Sequence, residues 1–263
     1  MPTFDTPTPI AIRLDVSGGS LRVVAGDRTD TVVTIRPGSE RKAADIQAAE
    51  QTRVEFADGR LVISSPRRAR LLFMGTMPSV EIELLVPEGS ALEAALTAGD
   101  VDCDGRLGDV RIDNRYGDIR IDSVASLHAR TSAGDVTVSR VDGDGDAGTS
   151  YGNVRVGEAT GALVLDSACG DITVQNAHGS VGASTKYGQV SVHRAAGGSL
   201  DLATAYGTVE AGIRAGTPAW LDLQASSGKV RNLLTPSDAP DDSEEPVRIR
   251  ARTSYGDIVV RRA

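Results

Sequence analysis

Cysteine is almost missing from this chain: Cys103 and Cys169 are the only two in 263 residues, too few for a disulfide framework. Reduced thiols in a reducing compartment are the simpler expectation. Histidine is as scarce, and His128, His178 and His193 stand apart from one another and from both cysteines, so no zinc-ligand spacing arises. Apolar runs stop at about four residues, far short of the roughly 20 that cross a bilayer. The opening Met-Pro-Thr-Phe-Asp-Thr-Pro offers neither the basic segment nor the apolar stretch of a signal peptide, and the expected location is the cytoplasm. Basic charge is short too. The net charge of −8 argues against nucleic acid as a partner, because phosphate binding needs a basic surface.

Glycine is plentiful, at 29 residues, while aromatics make up 3% of the chain and hydrophobic residues 40%. That profile suits many short strands joined by tight turns around a real core, and excludes both a long-helix protein and wholesale disorder.

From Ala98 onward the sequence repeats. Glycines fall nine apart at Gly99, Gly108 and Gly117, and again from Gly134 through Gly143, Gly152, Gly161, Gly170 and Gly179 to Gly188. Most are followed by a polar residue and then an aliphatic one, as in Gly-Asp-Val at 99–101 and Gly-Asp-Ile at 170–172. The apolar residues then alternate, as in Val136/Val138, Val154/Val156 and Ile172/Val174. Alternation with period two means a strand with one buried face. A Gly-Asp or Gly-Asn step supplies the positive φ of a tight turn.

A longer beat is laid over the first. The residue before every other glycine is Tyr116, Ala133, Tyr151, Cys169, Tyr187, Tyr206, Ser227 and Tyr255, so that all five tyrosines fall in one column. Steps of about 18 residues fit a coil stacked at roughly 4.8 Å per layer. The predicted fold is therefore all-β, a repetitive β-solenoid. It is expected to be right-handed and β-helix-like with about 18 residues per coil, capped by an irregular N-terminal β region. A hairpin meander also accommodates nine-residue units, but it has no reason to place every tyrosine on alternate turns.

Two regions are expected. Residues 1–97 form the cap, with strands at Ile10–Val16, Leu21–Ala25, Thr31–Arg36, Val54–Phe56, Leu61–Ser64 and Val80–Val86 and one helix within Arg41–Thr52. Residues 98–263 form the solenoid, interrupted by an exposed acidic loop at 235–246 that holds three prolines and five acids. The arginines of Val247–Arg252 and of Val259–Ala263 are expected to lie on the last coil and to discourage end-to-end pairing.

The Gly-Asp-Val/Ile units, "Val-Ser-Gly-Gly-Ser-Leu-Arg-Val-Val-Ala-Gly-Asp" (16–27), "Asp-Gly-Arg-Leu-Val-Ile" (58–63) and the closing "Arg-Thr-Ser-Tyr-Gly-Asp-Ile-Val-Val-Arg-Arg" (252–262) carry a family resemblance. From about residue 10 to the C-terminus the chain resembles the bacterial putative-adhesin family of β-strand-repeat domains, a domain of unknown function. The resemblance implies a β-helix-like solenoid and no catalytic residues.

The functional candidates are few. Asp100, Asp102, Asp104 and Gly105 resemble the start of a calcium loop, but the twelfth position is Arg111, and Val101 and Cys103 turn the acids outward. Asp142, Asp144 and Asp146 make a second such run. No spacing singles out a catalytic carboxylate pair, so a polysaccharide-acting enzyme rests on fold analogy alone. No cofactor or metal is expected. Tyr116, Tyr151, Tyr187, Tyr206 and Tyr255 read as a structural ladder, and truncating a buried member predicts a loss of roughly 3–5 kcal/mol. If exposed, the same column reads as a binding face. Arg67, Arg68, Arg70, Leu71, Leu72 and Phe73 read as a loop packed over the cap, or as a patch that touches a membrane surface or a partner. The expected function is a non-enzymatic scaffold or interaction module for a protein or carbohydrate. A self-assembling, bactofilin-like polymer or a membrane-peripheral structural protein is the alternative. The oligomeric state stays open.

Overall fold

The computed structural model describes residues 2–65, 77–234 and 246–263. The chain divides into two compact units, Met1–Ala133 and Gly134–Ala263.

In the first unit the elements are β1 (Thr3–Asp5), β2 (Ala11–Gly26), β3 (Asp30–Pro37), α1 (Ala43–Gln51), β4 (Arg53–Ala57), β5 (Arg60–Ser64), β6 (Val80–Pro87), β7 (Ala91–Ala98), β8 (Val101–Asp113) and β9 (Ile119–Ala133). The organising strand is β2. Its first half lies parallel to β5 and β7, and its second half parallel to β6 and β8. Ile12, Leu14 and Val16, then Leu21 and Val23, point inward and are buried. Ser-Gly-Gly-Ser at 17–20, expected as a break between two strands, is instead a corner inside one continuous strand. The reason is close approach: Gly19 has φ +132°, and a Cβ there would collide with the Val80 backbone. Antiparallel pairs β1–β3, β3–β6 and β4–β5 add to this parallel frame. The helix is held by buried Asp45, which accepts a 3.0 Å hydrogen bond from the Ser79 N–H.

The second unit is a regular solenoid. Its strands are β10 (Val136–Val141), β11 (Gly145–Tyr151), β12 (Val154–Ala159), β13 (Leu163–Cys169), β14 (Ile172–Ala177), β15 (Val181–Tyr187), β16 (Val190–Ala195), β17 (Ser199–Tyr206), β18 (Val209–Ile213), β19 (Ala219–Ser227), β20 (Val230–Asn232), β21 (Val247–Tyr255) and β22 (Ile258–Arg262). Two parallel ladders result. In one, Val136, Val154, Ile172, Val190 and Val209 stack in successive coils. In the other, Leu163, Val181 and Leu200 do the same. The inward residues of these coils are buried almost without exception, which is what period-two alternation demands of a one-sided core.

The order of layers departs from the order of sequence. Strand β21 pairs with β17 on one side and with β19 on the other, and β22 lies between β18 and β20 in the same way. The Arg-rich C-terminal strands are therefore an inserted layer rather than the expected last coil. The chain passes from β18 to β19–β20, then returns to fill the gap between them.

Candidate functional site

Each coil of the second unit turns at a Tyr-Gly-Asp corner or its equivalent, and three ladders fix that corner. Inside it, a hydroxyl two residues before the column position donates to a glycine carbonyl of the preceding layer. Thr149 donates to Gly134, Ser167 to Gly152, Thr185 to Gly170, Thr204 to Gly188 and Thr253 to Gly207, at 2.9–3.1 Å. At the corner itself the glycine has a positive φ, +147° at Gly170, where a Cβ would run into the Gly152 carbonyl oxygen. Beyond it, an Asx side chain accepts from the backbone N–H of the next layer: Asp135 from Asn153, Asn153 from Asp171, Asp171 from Gln189, and Asp257 from Lys229. A buried hydroxyl without a partner would cost about 1–3 kcal/mol, so the satisfied Thr column is part of what sets the corner.

The corner points the tyrosines outward. Tyr151, Tyr187, Tyr206 and Tyr255 are 49–66% exposed, as is Tyr116 of the first unit at 55%. Register in the second unit stacks the column as Tyr151, Cys169, Tyr187, Tyr206, Tyr255 and Ser227. Tyr206 lies 5.1 Å from Tyr187 and 4.9 Å from Tyr255, centroid to centroid, with ring planes within 8° of parallel. Three rings thus use their faces on one another and show their edges and hydroxyls to solvent. Cys169, half-buried, separates Tyr151 from this stack.

A second aromatic feature escaped the sequence reasoning. Trp220, the sole tryptophan, is 64% exposed on β19 and borders a shallow groove of about 450 Å³ with Ser199, Asp201, Asp222, Arg248 and Arg250. Only its place in the alternation of β19, between inward Ala219 and Leu221, could have marked it as outward-facing. In the first unit a groove of about 380 Å³ runs over Ala11 and Ala91, between Arg13, Arg60, Glu93 and Arg111.

The acidic runs are engaged by arginines and backbone N–H groups rather than gathered on a cation. Asp100 accepts from the Asp118 N–H, Asp102 lies 3.5 Å from Arg120, and Asp104 lies 3.0 Å from Arg22. Asp142 pairs with Arg140 at 2.6 Å, and Asp144 accepts from the Ala162 N–H. Among the described residues no cluster of His, Cys, Asp or Glu is placed to hold a metal ion. His128 lies 3.8 Å from Asp113 and His178 3.4 Å from Glu158. Burial, and then the charges of Asp102 and Asp104, push the Cys103 thiol up to about 12, which keeps it protonated and unreactive. The basic-apolar segment from Arg67 to Phe73 lies outside the described residues.

The decisive comparison concerns nearly the whole chain: residues 11–261 match the family model Toastrack DUF4097. The chain belongs to the Toastrack DUF4097 family. Its fold is the β-solenoid-like repeat of that family, as the coils above require. Solved structures resemble it at low identity. A protein from Bacteroides fragilis described as a "putative adhesin" is 14% identical with a TM-score of 0.49, the match covering 100% of this chain and 95% of that one. A "putative adhesin" from Parabacteroides merdae is 9% identical with a TM-score of 0.29, covering 100% and 95%. A "putative cell adhesion protein" from Clostridium sporogenes is 10% identical with a TM-score of 0.25, covering 100% and 98%. No curated protein matches. Neither the family's description nor those of the solved structures names a reaction. Among the described residues no helix is long and apolar enough to cross a membrane.

Proposed function

We propose that this Toastrack protein is a non-enzymatic interaction module whose solenoid holds the tyrosine column out to a protein partner. The observation that carries this reading is the stack Tyr187–Tyr206–Tyr255, exposed along its edges and fixed beneath by the Thr hydroxyls and the glycine corners. Tyrosine offers large contact area at low cost in conformational entropy, together with a hydroxyl that hydrogen-bonds. The column is ordered before any partner arrives, so little further entropy is lost on binding. The geometry favours protein over carbohydrate. A sugar ring stacks on an open aromatic face, and Tyr206, at the centre of the stack, has a ring on each face. Two free cysteines, one of them buried, support the cytoplasm as its compartment.

Site-specific photo-crosslinking in the producing cell tests the reading. A photoreactive phenylalanine analogue at Tyr206 or Tyr187 should yield a discrete protein adduct. The same group at Arg155, which is exposed on β12, should not. Adducts equally strong from Arg155, or none from the column, would overturn the assignment. Retention on a polysaccharide matrix that is lost on changing Tyr187, Tyr206 and Tyr255 to Ser would make the ligand a carbohydrate instead.

A further inference from the structure

The insertion of β21–β22 leaves β19–β20 as the outer layer of the second unit at this end. Among the described residues β19 pairs with β21 alone and β20 with β22 alone. Each therefore presents one row of backbone donors and acceptors with no strand beside it. Their inward side chains are uncovered as well. Val230 is 46% exposed, while its column neighbours Ile258 and Val209 are fully buried. Leu221 and Leu223 are part-exposed, whereas Ile249, Ala251, Leu200 and Leu202 in the layers behind them are at most 2% exposed. Leu233 extends this apolar surface.

Soluble proteins guard such an edge with Lys, Pro or a bulge. Strand β19 has none of these: its register runs unbroken from Ala219 to Ala225, and its one charge is Asp222. Covering this surface takes inward apolar side chains and a free strand edge, and the same end of a second copy supplies both.

We propose that two copies of the chain join head to head at this end, β19 pairing antiparallel with β19 of the other copy about a two-fold axis at Leu223. Such an interface is isologous, so the same patch serves both sides and the assembly closes at two. In that register Leu223 meets its own image, Leu221 faces Ala225, Trp220 faces Ser226 and Asp222 faces Gln224. Within β19, Leu221 and Trp220 thus face small residues and no like charges are opposed. A register centred on Asp222 would instead set two carboxylates face to face.

Sedimentation velocity on the full chain across a wide concentration range tests the proposal. Wild type should pass from monomer to dimer and stop there. Leu223→Lys and Val230→Lys should each weaken the dimer by at least about 100-fold, with far-UV circular dichroism unchanged. As a second measurement, Leu223→Cys in a Cys169→Ser background should give a disulfide-linked dimer under mild oxidation. A monomer at every concentration overturns the proposal. So does a dimer that both lysine variants retain, a series that grows beyond two, or a Leu223→Cys chain that stays monomeric on oxidation.

Discussion

Truncating the central ring of the stack, Tyr206→Ala, probes both the exposed column and the unexpected order of layers. Burying an aromatic side chain removes about 150–250 Å² from water, and at 49% exposure about half of that applies here. At about 25 cal/mol per Å² this gives an upper figure of about 2.5 kcal/mol. The two stacking contacts add about 0.5–1.5 kcal/mol each, offset by side-chain freedom regained in the variant. The expected loss is about 3 kcal/mol, at the lower edge of the range for a fully buried aromatic. Tyr151→Ala should lose less than about 1 kcal/mol, because Tyr151 is 66% exposed and has Cys169 beside it in the column. Urea unfolding, followed by circular dichroism and by the fluorescence of Trp220, measures both. The double variant with Tyr255→Ala carries the sharper result. Tyr206 and Tyr255 are 49 positions apart in sequence but stacked at 4.9 Å, so their coupling should be about 1 kcal/mol. A coupling below about 0.3 kcal/mol would mean that the rings are not neighbours and that β21–β22 is not the inserted layer.

Three further outcomes follow from the corner and its surroundings. Gly170→Ala should cost more than about 3 kcal/mol, since it adds strain at φ +147° to a collision with the Gly152 carbonyl, whereas Gly216→Ala, which meets nothing within 4 Å, should cost only about 1–2 kcal/mol; equal Tm losses would refute the close-packed corner. In the native protein at pH 8 a thiol reagent should label half-buried Cys169 and leave Cys103 unreacted until denaturation, and equal labelling rates would contradict the burial that raises the Cys103 thiol. Burial works to raise Asp135, but hydrogen bonds from Asn153 and Arg155 outweigh it and hold the carboxyl below its ordinary 3.8. The group is depressed in the folded state, so its stabilisation is present above 3.8 and is lost as pH falls through the lower folded value. A Tm–pH profile should therefore be shallower on its acid side in Asp135→Asn, and an unchanged profile would remove Asp135 from the account.

The coil length, the glycine corners and the tyrosine column were legible in the sequence because each is a matter of period, and a period survives without coordinates. The direction of the tyrosines was not. Val181, Ala183, Thr185 and Tyr187 share one parity, and alternation alone turns all four inward. The backbone rotates at Gly188, however, so Thr185 is the last inward residue and Tyr187 swings into solvent. Parity fails at the last residue of each strand, beside the glycine corner, and that is where the column sits. Ser-Gly-Gly-Ser at 17–20 was misjudged for a related reason. A glycine pair marks a sharp change of direction, but whether hydrogen bonding stops there depends on the strands alongside, which the sequence does not place.

The order of layers had a signal of its own, carried by what each coil can give its neighbour. The C-terminal coil has the full corner set: Thr253, Tyr255, Gly256 and Asp257. The coil before it has Ala225, Ser227, Gly228 and Lys229 at the same places. Thr253 donates to the Gly207 carbonyl of the layer behind, and Asp257 accepts from the Lys229 N–H of the layer in front. Ala225 has no hydroxyl to donate and Lys229 no carboxylate to offer onward. A coil that is poor at bonding on both sides leaves fewer groups unsatisfied at the end of the stack than in its middle. Insertion of the C-terminal coil keeps the Thr253 and Asp257 bonds inside the stack, and it moves the arginines of β21 away from the edge they would have guarded. What remains at the edge is β19–β20, with part-exposed Leu221 and Leu223, exposed Val230, and Asp222, Lys229 and Arg231 as its charges. The choice that completes the corner ladder is the same one that leaves an open face for a second copy.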